Sequence, residues 1–369
     1  MCDIIRASND PGKEKRMKTY ILFLIKRALC RKGNWLTAGV YFLVVLLFWG
    51  MNMHAQSQIK ETIQEQIRLN EQTQVLVPEY KEALDAYETK DLDSFTSTYL
   101  TILDKQKAMV WQQSEDMVED LDKQRIYYEA LSDQHLAYEN MEYPVYGYTF
   151  LFYTGQTIFP ALLTIGSLIL LAHIALMDRN QALDCTRLFP LSNPCILISK
   201  IIAGFICSMG MAGGVLGLQW IVCTLLTGQT GRTHPILVWN QGTWITKPAA
   251  LCVGSNLLLL VGFILFLSLF VSVLSAFVKE ETSLLITSVV LIPGFGYAPY
   301  LIPYLQPFAH LFPTTYMHFS TIVNGWMAKQ FYNEDLMLTH GMYILMIWCL
   351  VLSFGRTLGM VRARNKDRI

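Results

Sequence analysis

Six long apolar segments divide the chain, and each meets or approaches the length needed to cross a bilayer. A helix needs about twenty mostly apolar residues to span roughly 30 Å of hydrocarbon. The segments are Trp35–Met53, Thr157–Met177, Ile201–Thr227, Leu251–Phe277, Ser283–Ile302 and Gly341–Met360. Since lipid offers no partner for backbone hydrogen bonds, each segment must satisfy them internally as a helix. The pattern predicts an all-α polytopic membrane protein with six transmembrane helices.

The polar stretch between the first two spans, residues 54–150, has a helical period. Ile59, Ile63 and Ile67 recur every four residues, which predicts that the first span continues out of the membrane as one rod. Pro78 favours a helix start nearby. Three further stripes follow, namely Tyr80, Leu84 and Tyr87; Leu92, Phe95, Tyr99 and Ile102; and Met117, Leu121, Tyr128 and Leu131. We expect a small helical bundle or hairpin of rods, with the aromatic stripes as its core rather than a ligand site.

These patterns divide the chain into five parts. They are a cytoplasmic, interfacial amphipathic helix in 1–34, the first span in 35–53, an extracellular helical domain in 54–150, spans two to six in 151–360 and a cytoplasmic basic tail in 361–369. The segment Glu14–Lys32 flanks a short apolar core with basic residues, which is typical of a helix in the headgroup layer; a disordered basic leader is the alternative. The prolines and glycines between Pro293 and His340 predict a broken extracellular element, placed in 303–340.

Charge separates the two sides of the predicted membrane. Only 16% of residues are charged, whereas a soluble domain carries about 25%. Residues 1–34 hold nine Lys/Arg and three Asp/Glu, while residues 54–150 hold eight basic and nineteen acidic residues. The connections expected inside carry eighteen Lys/Arg and the short outer loops three, which predicts that both termini are cytoplasmic. The acidic block makes nucleic acid an improbable partner.

Several kinds of chemistry are not predicted. All eight cysteines lie outside residues 54–150, which excludes a disulfide-stapled domain there, and no spacing suggests a metal site. The sequence contains no P-loop, so no cofactor is expected in this chain. Glu280 and Glu281 lack the arginine and histidine of an intramembrane protease and are expected to be solvated. His173 has no carboxylate at its depth in any predicted span, so we expect a histidine near the headgroups rather than a proton relay. No catalytic residue is predicted, and no cleavable signal peptide.

The loop after the second span, residues 178–200, has the form of an amphipathic segment followed by a rigid turn. It reads DRNQALDCTRLFPLSNPCILISK and enters the third span through a lysine. Such a shape can transmit force from a docked cytoplasmic protein. The candidate coupling residues are Asp178, Arg179, Asp184, Arg187, Leu188, Pro190, Ser192, Pro194 and Lys200.

Taken together, the chain resembles the permease subunit of a type-2 ABC exporter. The resemblance rests on the inner amphipathic helix, the six spans, the broken element before the sixth span and the positions Leu188, Pro190, Ser192 and Lys200. It implies that two permease subunits dimerise in a bacterial plasma membrane. Each would dock a separate ATP-binding cassette subunit, which holds ATP and Mg²⁺, through a coupling helix at Asp178–Pro194. The large insert departs from the simpler family members and resembles those linked to peptide or antimicrobial export.

Polar side chains are sparse within the predicted spans. They are Ser255, Asn256, Ser268 and Ser272 on the fourth span and Thr287 and Ser288 on the fifth. The resemblance makes them candidate points on a path for an amphiphilic or hydrophobic cargo, either peptide or lipid-like; ordinary close packing of helices is the alternative. A non-transporting receptor or scaffold, whose acidic domain binds a peptide or envelope partner, is the rival function. An intramembrane enzyme is disfavoured because the catalytic pairs are missing.

Overall fold

The computed structural model describes residues 11–71, 76–89, 91–110, 115–157, 159–177 and 191–366. Within these ranges the side chains are described from residue 14 to residue 357, apart from Val110. The helices and strands are, in chain order, α1 (Pro11–Cys30), α2 (Lys32–Ser57), α3 (Ile59–Asn70), α4 (Val77–Thr89), α5 (Leu92–Val110), α6 (Glu115–Asp133), α7 (Gly147–Thr154), α8 (Phe159–Leu176), α9 (Asn193–Thr227), β1 (Pro235–Asn240), β2 (Thr243–Pro248), α10 (Ala249–Leu274), α11 (Glu281–Leu301), α12 (Phe319–Val323), α13 (Trp326–Gln330) and α14 (Leu338–Lys366).

Six of the described helices are long and apolar enough to cross a membrane. They are α2, α8, α9, α10, α11 and α14, the last over Leu338–Thr357. The chain is therefore a mostly helical, multi-pass membrane protein, as the hydropathy pattern predicts. Helix α8 is the most enclosed of the six, with 72% of its apolar window buried, whereas α2 and α14 are 17% and 11% buried. Helices α2 and α14 thus present apolar faces to the outside of the bundle.

Several predicted boundaries need correction. Helix α9 begins at Asn193 rather than at residue 201, so the predicted turn before the third span forms its first helical turns. Helix α11 continues through Pro293 and Pro299, which both lie inside the predicted fifth span Ser283–Ile302. A proline inside a helix loses one backbone hydrogen bond, and neighbouring elements can compensate within a protein interior. The irregular element starts at Pro303, the first residue of the range 303–340.

Residues 59–133 contain four helices around one hydrophobic core. The core side chains include those of the predicted stripes, among them Ile63, Tyr80, Phe95, Ile102 and Leu131. Two predicted stripe residues lie outside it, because the side chains of Leu92 and Met117 are exposed. The predicted continuous rod is interrupted only at Gln58, where the backbone N–H still donates to the carbonyl of His54, at 3.2 Å.

A β-hairpin, which the sequence did not lead us to expect, connects α9 to α10. Strands β1 and β2 are antiparallel and joined by the two-residue turn Gln241–Gly242. Both turn residues have positive φ, 47° and 89°, as a type I′ hairpin turn requires. The hairpin contacts α6, so it lies at the same end of the bundle as the four-helix insert. We call this end the insert face, and the opposite end, which carries α1 and the last residues of α8, the terminal face.

Four short helices connect α11 to α14. Two 3-10 helices, Pro303–Leu311 and Pro313–Met317, are followed by α12 and α13. Gly325 between α12 and α13 has φ 69°, and a Cβ there would lie 2.4 Å from the carbonyl oxygen of Trp239 in β1. The neighbouring carbonyl of Asn324 accepts the backbone N–H of Trp239 at 2.7 Å. This close approach holds the hairpin against the irregular element.

Candidate functional site

A carboxylate on the insert face joins the insert to the membrane-spanning part. Glu119 on α6 accepts a hydrogen bond from Trp244 Nε1 on β2 at 2.8 Å, and its carboxylate also pairs with Lys329 of α13 and with Lys123. The Lys329 ammonium lies 5.0 Å from the centre of the Trp239 ring, a cation–π distance. Partial burial opposes ionisation, but the bonds from Lys329 and Trp244 prevail and lower the pKa of Glu119 to about 2. We call this arrangement the Glu119 clamp.

The segment after α6 is fastened to the first span and the hairpin. The carbonyl of Pro144 accepts a hydrogen bond from Asn52 Nδ2 at 2.9 Å, and that of Val145 accepts one from Trp49 Nε1 at 3.0 Å. On the other side, His234 Nε2 lies 3.0 Å from the carbonyl oxygen of Ala137. These contacts from two parts of the chain, α2 and the residue before β1, fix the backbone of residues 137–145.

Glu139 is a buried carboxylate at the centre of this fixed segment. Its side chain is only 1% exposed. Its Oε1 accepts the backbone N–H of Val145 at 2.6 Å, that of Tyr146 at 2.8 Å and the hydroxyl of Thr149 at 2.8 Å. Its Oε2 is buried and has no hydrogen-bond partner among the described residues. Burial raises the pKa of Glu139 to about 7 although the three donors favour the anion.

A partly open cavity of about 220 Å³ borders Glu139. It lies where α6, the segment 139–156, the hairpin and the α12–α13 region meet. Its walls are mostly apolar and aromatic, with Tyr127, Phe152, Tyr153, Trp244 and Trp326 among them. We call it the junction cavity. This site could not be predicted from the helical stripes, because residues 137–156 lie outside them; two acidic residues, Glu139 and Glu142, before the aromatic run at Tyr143–Tyr153 were the local signal.

On the terminal face, α1 lies against the ends of the second and third spans. Tyr20, Leu24 and Ala28 are buried and form a cluster with residues of α8 and α9, including Ile174 and Ala203. The opposite side of α1 exposes Leu22, Phe23 and Leu29. The prediction of an amphipathic helix thus agrees with α1, whose buried side meets protein. Its three exposed apolar side chains are available to the membrane interface.

A three-residue charge cluster joins the connection between α1 and α2 to α8 and α11, and it corrects two expectations. Arg31 donates to Glu281 Oε1 at 2.6 Å, and His173 Nδ1 lies 3.4 Å from the same oxygen. Glu281 is therefore an ion-paired group rather than a solvated charge. His173 does have a carboxylate neighbour, contrary to the expectation that no span supplies one. Residues 250 positions apart in sequence form the first contact, so no local pattern could have revealed it.

The candidate coupling residues are described only in part. Asp178, Arg179, Asp184, Arg187, Leu188 and Pro190 lie outside the described residues. Ser192 precedes the first residue of α9 and Pro194 lies in its first turn. Lys200, two turns further on, donates from Nζ to the carbonyl oxygen of Ala175 near the end of α8, at 3.0 Å. The two ends of the loop are thereby held together.

The candidate path residues do not form one polar surface in the described structure. Ser255, Ser268 and Thr287 donate to carbonyl oxygens four residues earlier in their own helices, at 3.1, 2.8 and 2.7 Å. Asn256 instead reaches α12, donating to Ser320 Oγ at 2.6 Å. The hydroxyls of Ser272 and Ser288 are buried without a partner among the described residues. These contacts are those of closely packed helices, and the assignment to a cargo path stays a prediction.

No family model, curated protein or solved structure matches this chain. The functional argument therefore rests on the residues and contacts described above.

Proposed function

We propose that the chain is the permease subunit of an ATP-driven type-2 ABC exporter. It moves an amphiphilic or hydrophobic cargo, peptide or lipid-like, out of a bacterial cell. A separate ATP-binding cassette subunit supplies the energy, and a second permease subunit completes the path. In this arrangement the terminal face is cytoplasmic and the insert face is extracellular.

The observation that carries the proposal is the contact between the two helix ends that flank residues 178–190. Lys200 ties the start of α9 to the end of α8, and α1 is buried against both helices. A loop that transmits force needs fixed ends, because a push on a loosely held segment would be lost as local motion. Helix α9 has 35 residues, about 50 Å of helix at 1.5 Å per residue. A push at its first turn is thus carried across the whole bilayer.

The charge distribution supports the orientation. Six spans place both chain ends on one side, and the basic residues concentrate there. The spans themselves carry few charged groups, which suits an apolar cargo better than an ion. The exposed apolar faces of α2 and α14 leave surface for lipid and for the second permease subunit.

The experiment replaces residues 181–190 by a Gly/Ser linker of the same length and leaves Ala175 and Lys200 in place. The protein is purified from its native host together with any bound ATPase. We expect the wild type to retain an ATP-hydrolysing subunit in equal number, and the linker variant to lose it while keeping its thermal stability. Retention of the ATPase by the linker variant would refute the coupling role of this loop.

A receptor or scaffold is the rival, and the junction cavity on the insert face is the observation that favours it. The same purification separates the two functions. A receptor brings down no ATPase and shows no ATP-dependent cargo movement in vesicles, whereas an exporter shows both.

A further inference from the structure

The junction cavity is bordered by a carboxylate that has one oxygen without a hydrogen-bond partner among the described residues. Among the described residues that line it, Glu139 is the single carboxylate. Its Oε1 already accepts three hydrogen bonds, while Oε2 accepts none. A buried acceptor without a partner destabilises the folded chain, and more so when it is charged. A donor arriving in the cavity would remove that cost.

The cationic side chains nearest the cavity form ion pairs with other carboxylates. Lys123 lines the cavity, but its ammonium lies 2.7 Å from Asp120 and 3.3 Å from Glu119. Lys329 is held by the Glu119 clamp. Neither lysine donates a described hydrogen bond to Glu139. Among the described residues at the cavity, the charge without a partner is therefore the negative charge of Glu139. Both nearby lysines are already paired, so neither leaves an uncompensated positive charge that would repel a cationic ligand.

The shape of the site selects among cationic groups. An arginine guanidinium binds best across two carboxylate oxygens, and here one oxygen is already occupied. A lysine ammonium is a compact donor that one oxygen can satisfy. The aromatic and aliphatic walls match the four methylene groups of a lysine side chain, whereas a peptide amino terminus would bring unsatisfied backbone amides against them. The excess of eleven acidic residues in the 54–150 segment concentrates cationic peptides near the opening.

We propose that the junction cavity binds a lysine side chain of a cationic peptide, with the Glu139 carboxylate turning to bring its buried Oε2 to the ammonium. The site lies on the insert face, far from the loop proposed to dock an ATPase. It stands whether the chain is an exporter or a receptor.

The probe is the peptide acetyl-Gly-Lys-Gly-amide, whose only cation is the lysine side chain. Its dissociation constant is measured at pH 8, where the Glu139 carboxylate is ionised, by saturation-transfer NMR on the full chain in phosphatidylcholine nanodiscs. We expect saturable binding, and at least about tenfold weaker binding to Glu139→Gln. Glu142→Gln, which removes an exposed carboxylate three residues away, is the matched control and changes the constant less than about twofold. Leu237→Trp fills the cavity without touching the carboxylate and also abolishes binding.

Chemical controls on the peptide complete the test. Acetylating the lysine side chain should abolish binding, and an arginine in its place should weaken it. A lysine-free peptide with a free amino terminus should not bind. Thermal melts establish that each variant is folded. The proposal would be overturned if Glu139→Gln and Glu142→Gln lost binding equally, or if Glu139→Gln bound as tightly as the wild type. It would also be overturned if the acetylated peptide bound, or if only the peptide with a free amino terminus bound.

Discussion

The buried carboxylate of Glu139 predicts that the junction between the insert and the spans weakens as the pH rises. Its pKa is about 7 in the folded chain against an ordinary value of 4.5. Between these values the folded chain keeps a proton that the unfolded chain has lost, so the stabilisation present below pH 4.5 disappears as the pH rises through 7. At about 1.36 kcal/mol per pKa unit, the full loss is about 3 kcal/mol.

Amide hydrogen exchange of residues 139–154 measures this loss of stability in the segment that contains Glu139. After correction for intrinsic exchange rates, amide protection in this segment should fall roughly 50- to 100-fold between pH 5 and pH 8. In Glu139→Gln, which has the shape of the protonated acid, protection should lose this dependence and exceed that of the wild type at pH 8. Glu142→Gln should behave as the wild type.

His234 also titrates near this segment, and its effect has the opposite sign. Burial lowers the pKa of His234 below its ordinary 6.5, so its neutral form gains stability as the pH rises through that value. The difference between the wild type and Glu139→Gln removes this contribution, since both contain the histidine. If the two proteins show the same pH dependence, the argument about Glu139 is wrong.

Three further predictions concern the packing of the insert and α1. Replacing Lys329 by Met should weaken the insert contact by about 1 kcal/mol, because the pair is partly exposed, and should speed tryptic cleavage within the insert. Phe95→Ala removes a side chain that is 1% exposed and should destabilise the insert by about 3–5 kcal/mol in hydrogen exchange, whereas Leu92→Ala, at 38% exposure, should cost under about 1 kcal/mol. Arg31→Gln should remove the ion pair with Glu281 and leave His173 as its neighbour, and should expose α1 to protease, while Lys26→Gln, on an exposed part of α1, should not.

Hydropathy and period were enough to predict the spans and the insert core. Both signals are summed over many residues. A single exposed residue in a predicted core stripe, such as Met117, therefore does not change the predicted helix or its buried face. Pro293 and Pro299 do not end α11, in agreement with the predicted span Ser283–Ile302, because each removes only one hydrogen bond from the helix. The hairpin was missed although its turn residues, Gln241 and Gly242, and the flanking tryptophans carry a readable signal.

The sites depended on contacts that sequence spacing does not encode. The ion pair of Arg31 with Glu281 joins residues that lie 250 positions apart in the sequence. Glu139 finds its partners within ten residues, yet its burial depends on the hairpin and on α6 closing over it. The burial of Glu139 can be recognised only once the folded structure is known, because a carboxylate in a short polar segment is otherwise expected to be exposed.

The most direct test of the proposed function is site-specific photo-crosslinking in the native host membrane. A photoreactive residue at Arg187, in the loop after the second span, should crosslink to an ATP-binding cassette protein in a nucleotide-dependent manner. The same residue at Gln241, in the hairpin turn on the insert face, should give no such product. A crosslink to that protein from Gln241 instead of Arg187, or labelling of Arg187 by an impermeant reagent outside intact cells, would contradict the account.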